Sequence, residues 1–501
     1  MNPFSRRSAG ILLHPTSLPG RFGTGDLGKG VEMFLDWCVE AEQSFWQLLP
    51  LTPTGHGGSP YGSHSAFAGN AMLISPDGLV SDGFLPQSAI DLTPAFSDQH
   101  VELVRVAELK NRLLRESWAW FQRGASPEAR LALEAFTFAP EQEIWLDDWA
   151  LYSALKIRFG GIDWLRWNRE LAMRDPRALS AARRELQDQV AFHKYIQFLF
   201  FRQWTRVREQ AGRRRITVIG DVPIYVALDS ADVWSHPGIF HLSDDGQPLA
   251  VAGVPPDYFS KTGQRWGNPL YRWDRMEADG YDWWVARLRA NFRLTDVVRL
   301  DHFRGFASYW EVPSTEATAV NGRWIAGPGI AFFNGIRARL GDVPLIAEDL
   351  GDITAEVDEL RTVSGLPGMH VLQFGFGDDP KNPHRPSNHV SHSVVYTGTH
   401  DNDTTVGWYE KTMGEDRERL KEWLGDDDTP IEWRMIQAAY ESPAVIAMVP
   451  MQDVLGLGSE ARMNVPGEGA DNWTWRATPR QFLSEHALLL RRLAEATGRT
   501  R

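Results

Sequence analysis

VVRLDHFRG, residues 297–305, is an apolar run that ends in charge. Val297, Val298 and Leu300 suit a strand buried on both faces. Arg299 interrupts them, and Asp301 and His302 close them. Arg299 and Asp301 are two residues apart, so on a strand they share a face. A charge at a buried strand end is expensive unless paired. This spacing lets the guanidinium pair with the carboxylate and keep it ionised. The stretch therefore reads as a buried strand that delivers a working carboxylate at its C-terminal end.

Seven further runs have the same near-continuously apolar character: AGILLH (9–14), FWQLLPL (45–51), ITVIGDV (216–222), VPLIAED (343–349), HVLQFGF (370–376), SVVYTGTHD (393–401) and AVIAMVP (444–450). Helical patterns fill the gaps. DWWVARLRANF (282–292) repeats Trp284, Leu288 and Phe292 on one face, and 352–363 reads as another helix. Eight strands alternating with helices predict an α/β fold, a (β/α)8 TIM barrel. An open doubly wound sheet is the alternative. The lack of a G-x-G-x-x-G turn after the first run weakens it.

Two gaps exceed one helix. Residues 52–215 hold helical stretches such as EIWLDDWALYSALKIRFG and FHKYIQFLFFRQWTRVREQ, and 223–281 are loop-like and rich in Pro, Gly and aromatics. Both read as large insertions on the C-terminal face of the strands, within a single catalytic barrel domain spanning 1–501. About fifty residues follow the last run, helical at RQFLSEHALLLRRLAEAT (480–497). A C-terminal β-sandwich needs roughly 100 residues, so none is expected.

A chain of 501 residues with 43% hydrophobic and 23% charged residues is of ordinary globular composition. Its net charge of −13 argues against nucleic acid and against polybasic attachment to anionic lipid. With one cysteine, Cys38, no disulfide forms within the chain, which fits a reducing cytosol. Within LDWCVEA, Cys38 reads as a small buried hydrophobe. No apolar run approaches a membrane span, and Ala9–Leu13 after Arg6-Arg7 is too short for a signal peptide. A cytoplasmic location is expected. The 21 tryptophans are mostly core, with a minority available to line a groove where indole faces meet sugar rings.

In a barrel, chemistry sits at the C-terminal ends of the strands. The first run ends in His14, the third in Asp221, the fourth in Asp301-His302, the fifth in Glu348-Asp349, and the seventh in His400-Asp401 with Asp403 beyond. Any one of these acids could simply open a loop or cap a helix. Acids from four strands together are harder to assign to that role. A metal site is one use for converging acids. Arg299 beside Asp301 argues against a dication, and phosphate-binding motifs are missing. Glycosyl transfer is the other use. It needs a carboxylate to attack the anomeric carbon and a carboxylic acid to protonate the leaving oxygen. His384, His389 and His392 in PHRPSNHVSH match no standard zinc spacing and read as a solvated loop.

VRLDHFRG, IAEDLG (346–351) and THDNDT (399–404) together resemble the 4-α-glucanotransferases of glycoside hydrolase family 77, in the α-amylase clan. SPYGSHSAFAGN (59–70), GDVPIYVALDSADVW (220–234), VPPDYFSKTGQRWGNPLY (254–271) and RMNVPG…NWTWR (462–476) extend the resemblance over nearly the whole chain. The resemblance implies retaining transfer on α-1,4-glucans. Asp301 would be the nucleophile, Glu348 the acid/base and Asp401 the third acid, which stabilises the transition state. Arg299 and His400 would hold the −1 sugar and orient the carboxylates, Asp221 would also bind there, and Tyr61 would stack on that sugar. Asp257, Gln264 and Trp266 would contact neighbouring glucose units, and 253–267 resembles the family's lid over the acceptor side. No cofactor and no metal, calcium included, is implied. The expected partners are maltooligosaccharides, amylose and other α-1,4-glucans. GDVPIYV lacks the Asn-His that closes the corresponding amylase motif. That departure and the missing sandwich favour a transferase over an amylase-type hydrolase, with a binding-only protein as a third reading. His302 is read as structural.

Overall fold

Each of the eight apolar runs contributes a strand to one parallel sheet. The computed structural model describes residues 3–256, 260–467 and 471–501, with only the backbone of His56. Among them, twelve strands follow in chain order: β1 (Ser8–Leu12), β2 (Phe45–Gln47), β3 (Thr217–Val222), β4 (Ala250–Val254), β5 (Gln264–Pro269), β6 (Val297–Leu300), β7 (Ser308–Pro313), β8 (Arg323–Ala326), β9 (Leu345–Ala347), β10 (Gly368–Val371), β11 (Ser393–Tyr396) and β12 (Ile446–Pro450).

The large sheet runs β10-β11-β12-β1-β2-β3-β6-β9, with every ladder parallel. Its ends meet where the Ala347 N–H donates to Pro367 O at 2.9 Å. The Met369 N–H adds a bond to Asp349 Oδ1 at 2.7 Å. The sheet is thus a nearly closed (β/α)8 barrel. Close approach matters at Gly10, opposite Phe45, where an added Cβ would lie 2.5 Å from the Phe45 Cβ. Inside the barrel the Tyr396 hydroxyl donates to Gln47 Oε1 at 2.7 Å, and both residues are buried. This pair satisfies two polar groups that water does not reach.

The helix predicted at 282–292 spans Asp282–Leu294 and leads into β6, with Trp284 and Leu288 buried and Phe292 half-buried. Asp279 accepts the Asp282 N–H at its start. The segment between β2 and β3 is largely helical, ending in Gln187–Arg213, a 27-residue helix. The Trp204 indole N–H at its centre donates to Leu294 O at 2.8 Å, which ties that insertion to the barrel wall. Cys38 is buried in the helix Lys29–Glu40. No helix among the described residues is long and apolar enough to cross a membrane.

Two features depart from the sequence reading. A second, antiparallel sheet, β5-β4-β7-β8, lies partly within the stretch expected to be loop. AVAGV and QRWGNP are short and broken by Gly and Pro, and β5 is an exposed edge, so neither shows an apolar period. The histidine-bearing loop between β10 and β11 is also not simply solvated. His389 is buried, and its ring stacks on His370 of β10 at 4.5 Å and 9°. Its ring nitrogens lie 2.9 Å from Ser442 Oγ and 2.9 Å from His384 O. That loop covers β10 and β11 without an α-helix among its described residues, so imidazoles do the packing. Only His392 is exposed as expected.

Candidate active site

The register between β3 and β6 sets Asp221 opposite Arg299. One guanidinium nitrogen of Arg299 lies 2.8 Å from both Asp221 oxygens and 2.9 Å from Asp301 Oδ1. Both members of the Arg299–Asp221 pair are buried. Burial opposes the charge on Arg299, but Asp221, Asp301 and Glu348 hold its pKa well above the ordinary value. It is a fixed cation under the rim.

β6 and β9 pair with Leu300 beside Ala347, so Asp301 and Glu348 emerge at the same level of adjacent strands. Glu348 is gripped by main chain. Its Oε2 accepts the His302 N–H at 2.6 Å and its Oε1 the Leu350 N–H at 3.2 Å. Burial raises the Glu348 carboxyl well above the usual range. The charge of Asp301 adds to the rise, while Arg299 and the His302 amide oppose it. This is the condition of a carboxylic acid that stays protonated to donate.

Asp401 arrives from beyond β11, two strands on from β9 around the barrel. Its Oδ1 accepts from Asn464 Nδ2 at 2.6 Å and its carbonyl from Arg462 at 2.5 Å. The His400 Nε2 lies 3.4 Å from the same Oδ1. The His400 ring is parallel to Tyr61, centroids 5.1 Å apart at 7°, and Trp473 tilts against both at 5.9 Å. The Tyr61 hydroxyl donates to Asp221 Oδ2 at 2.7 Å. Asp221 is thus enclosed by Arg299 and Tyr61 and orients both.

On the opposite wall, β5 carries Gln264 and Trp266. The Trp266 indole N–H donates to Gln264 Oε1 at 3.1 Å, and its ring meets His302 edge-on at 4.8 Å. Asp257 lies outside the described residues. A cleft of about 520 Å³ opens between these walls, lined by Tyr61, Gln264, Trp266, Asp301, His400 and Asp401 among others. Its volume and mix of aromatic faces with convergent polar groups suit a small run of sugar rings.

Asn464, Arg462 and Trp473 hold the site together but were not singled out from the sequence. They lie in RMNVPG and NWTWR, which contain no acid at a strand end. The cue was present in those motifs, whereas the contact with Asp401 depends on the chain returning to the barrel mouth after β12.

The family model of the 4-alpha-glucanotransferases, glycoside hydrolase family 77, matches residues 13–481. The 4-alpha-glucanotransferase of Thermus thermophilus is 48% identical over 502 residues, covering 98% of this chain and 99% of its own. That of Synechocystis is 48% identical over 488 residues, covering 96% of each. Among solved structures, the amylomaltase from Streptococcus agalactiae in complex with acarbose superposes with a TM-score of 0.95 at 35% identity, over 99% of this chain and 100% of that one.

Proposed function

The chain belongs to the 4-alpha-glucanotransferase family, and from that premise we propose that it moves a segment of an α-1,4-glucan onto the 4-OH of another glucan or of glucose. The observation that carries this reading is the pair Asp301 and Glu348 on adjacent strand ends, one carboxyl bonded to a fixed cation and the other pushed up in pKa by burial. Two carboxyls in such different settings divide the roles of nucleophile and acid.

In the proposed reaction Asp301 attacks C1 of the sugar at −1 while Glu348 protonates the departing glycosidic oxygen. A retaining mechanism requires those carboxyls about 5–5.5 Å apart. The 4-OH of an acceptor then attacks C1 of the covalent glycosyl-enzyme, displacing the Asp301 carboxylate while Glu348 takes the hydroxyl proton. Asp401, aimed by Asn464, grips hydroxyls of the distorted sugar. Arg299 orients Asp301, Asp221 orients Arg299, and the parallel Tyr61 and His400 rings frame the −1 site. Gln264, Trp266 and Asp257 serve neighbouring glucose units, with 253–267 as a closing lid that favours sugar over water. The chemistry uses side chains alone and calls for no cofactor. The substrates are maltooligosaccharides, amylose and related α-1,4-glucans, handled in the cytoplasm by one catalytic domain with inserted subdomains at about 52–215 and 223–281.

An amylase-type hydrolase is the second reading, because it would use the same three acids. Incubation with maltotriose alone separates them. Transfer yields glucose and longer oligosaccharides at constant reducing ends, whereas hydrolysis raises reducing ends as chains shorten. Asp301→Asn and Glu348→Gln abolish either activity, and near-normal turnover in one of them would overturn the site assignment.

A further inference from the structure

We propose that His302 is a positioning residue that links the acceptor-side Trp266 to the proton carrier Glu348. The inference rests on the acid/base role given to Glu348. His302 follows the nucleophile directly and has a φ of 51°. A non-glycine residue in the left-handed region is strained and is held there only when the surroundings fix it. The bend has a consequence. Consecutive amides of His302 and Phe303 both reach Glu348, the first at its side-chain Oε2 (2.6 Å) and the second at its backbone carbonyl (3.1 Å). The acid is therefore held at both ends by the residue pair after Asp301.

The ring of the same residue makes a separate contact. It lines the cleft and packs edge-on against Trp266, which is 38% exposed on an edge strand. Gly305 leaves room for it, since a Cβ there would lie 3.2 Å from His302 Cδ2. Burial pushes the imidazole down to about 4, against the pull of Asp301, so the ring is neutral and does not compete for the transferred proton. A sugar seated on Trp266 presses on a ring whose own backbone N–H bonds Glu348. That bond favours the carboxylate, the form needed to receive the proton of an incoming 4-OH. Acceptor contact and base strength are thereby joined in one residue, which selects sugar over water in the second half-reaction.

The backbone and ring functions separate by substitution. His302→Asn and His302→Gly tolerate the left-handed conformation but lack the imidazole. His302→Val disfavours that conformation, and His302→Ala does so more mildly if the valine variant does not fold. The basic limb of kcat/KM, the KM for glucose as acceptor and the transfer-to-hydrolysis ratio are measured in each. The expected result is an upward move of the basic limb by about one pH unit in the valine or alanine variant, the scale of one charge-assisted hydrogen bond. Asn and Gly keep the parental limb but raise the acceptor KM several-fold and release more product to water. An unmoved limb in Val and Ala, or equal shifts in all variants, overturns the backbone role. An unchanged acceptor KM in Asn and Gly overturns the ring role. Glu348→Gln is run alongside. If that enzyme turns over, the acid/base reading itself has failed, which is a different result from a silent His302.

Discussion

Arg299 and Asp221 are register partners on adjacent parallel strands and form a buried ion pair at 2.8 Å, their side chains 4% and 0% exposed. A pair this dry is no guarantee of stability, because desolvation offsets the attraction. Its value lies in fixing where the guanidinium meets Asp301.

Breaking the pair from one side leaves a buried carboxylate without its cation. Arg299→Ala is expected to destabilise the fold by about 3–5 kcal/mol and to abolish transfer. Arg299→Met combined with Asp221→Leu regains much of the stability but none of the activity. Urea unfolding with the maltotriose assay reads both. Activity in the double variant would sink the positioning role.

Glu348 links pH to stability. Its folded pKa lies above the unfolded value because burial disfavours the charge. The associated stability is fully present below the unfolded pKa and is lost as pH rises through the folded one. Glu348→Gln imitates the protonated form, so its melting temperature should match the parent in acid and exceed it increasingly toward alkaline pH. A constant difference across the range would show that the carboxyl is not perturbed.

The imidazoles of β10 and of the loop between β10 and β11 act in the opposite direction. Burial lowers His370 to about 3 and His384 to about 4, with the neighbouring imidazoles and, for His370, the Arg361 guanidinium adding to the effect. His389 is lowered by burial as well. Lowered histidines contribute stability that is present above their unfolded value of about 6.5 and is lost as pH falls through the folded values. His370→Phe keeps a ring against His389 and removes one titration. Its melting temperature should fall less than the parent's between pH 6 and 4. Parallel curves would mean that the loop detaches before it titrates.

Arg499 sits at the opposite end of the barrel from the chemistry. It is fully buried and donates to the carbonyls of Tyr440, Ser8, Ser442 and Ala444 at 2.7–2.9 Å. Arg499→Ala orphans several of them and should cost about 3 kcal/mol or more. KM and kcat below the melting temperature should stay at parental values. A changed KM would reveal strain carried along β1 or β12 to the rim.

The strand set was legible because burial on both faces leaves a local trace, a short run of Val, Ile and Leu. VVRLD, VPLIAED and AVIAMVP supply β6, β9 and β12 with their ends shifted by only a residue or two. The runs overshoot the ladders mostly at the C-terminal side. There Asp301, Glu348 and His400 lie just past the strand ends, and Asp301 and His400 line the cleft.

The alternation of strands and helices, the acids at strand ends and the pairing of Arg299 with Asp301 were legible along the chain, since each depends on neighbours a few residues apart. Tertiary structure alone decided that Tyr61 bonds Asp221, 160 positions away, and that Asn464 aims Asp401 from 63 positions away. It also decided that His389 stacks on His370 and that β4 and β5 join β7 and β8 in a second sheet. Those contacts follow from barrel closure and strand register, which bring distant segments to one level of one mouth. A local period records which face of a strand is dry, but not which segment arrives to cover it.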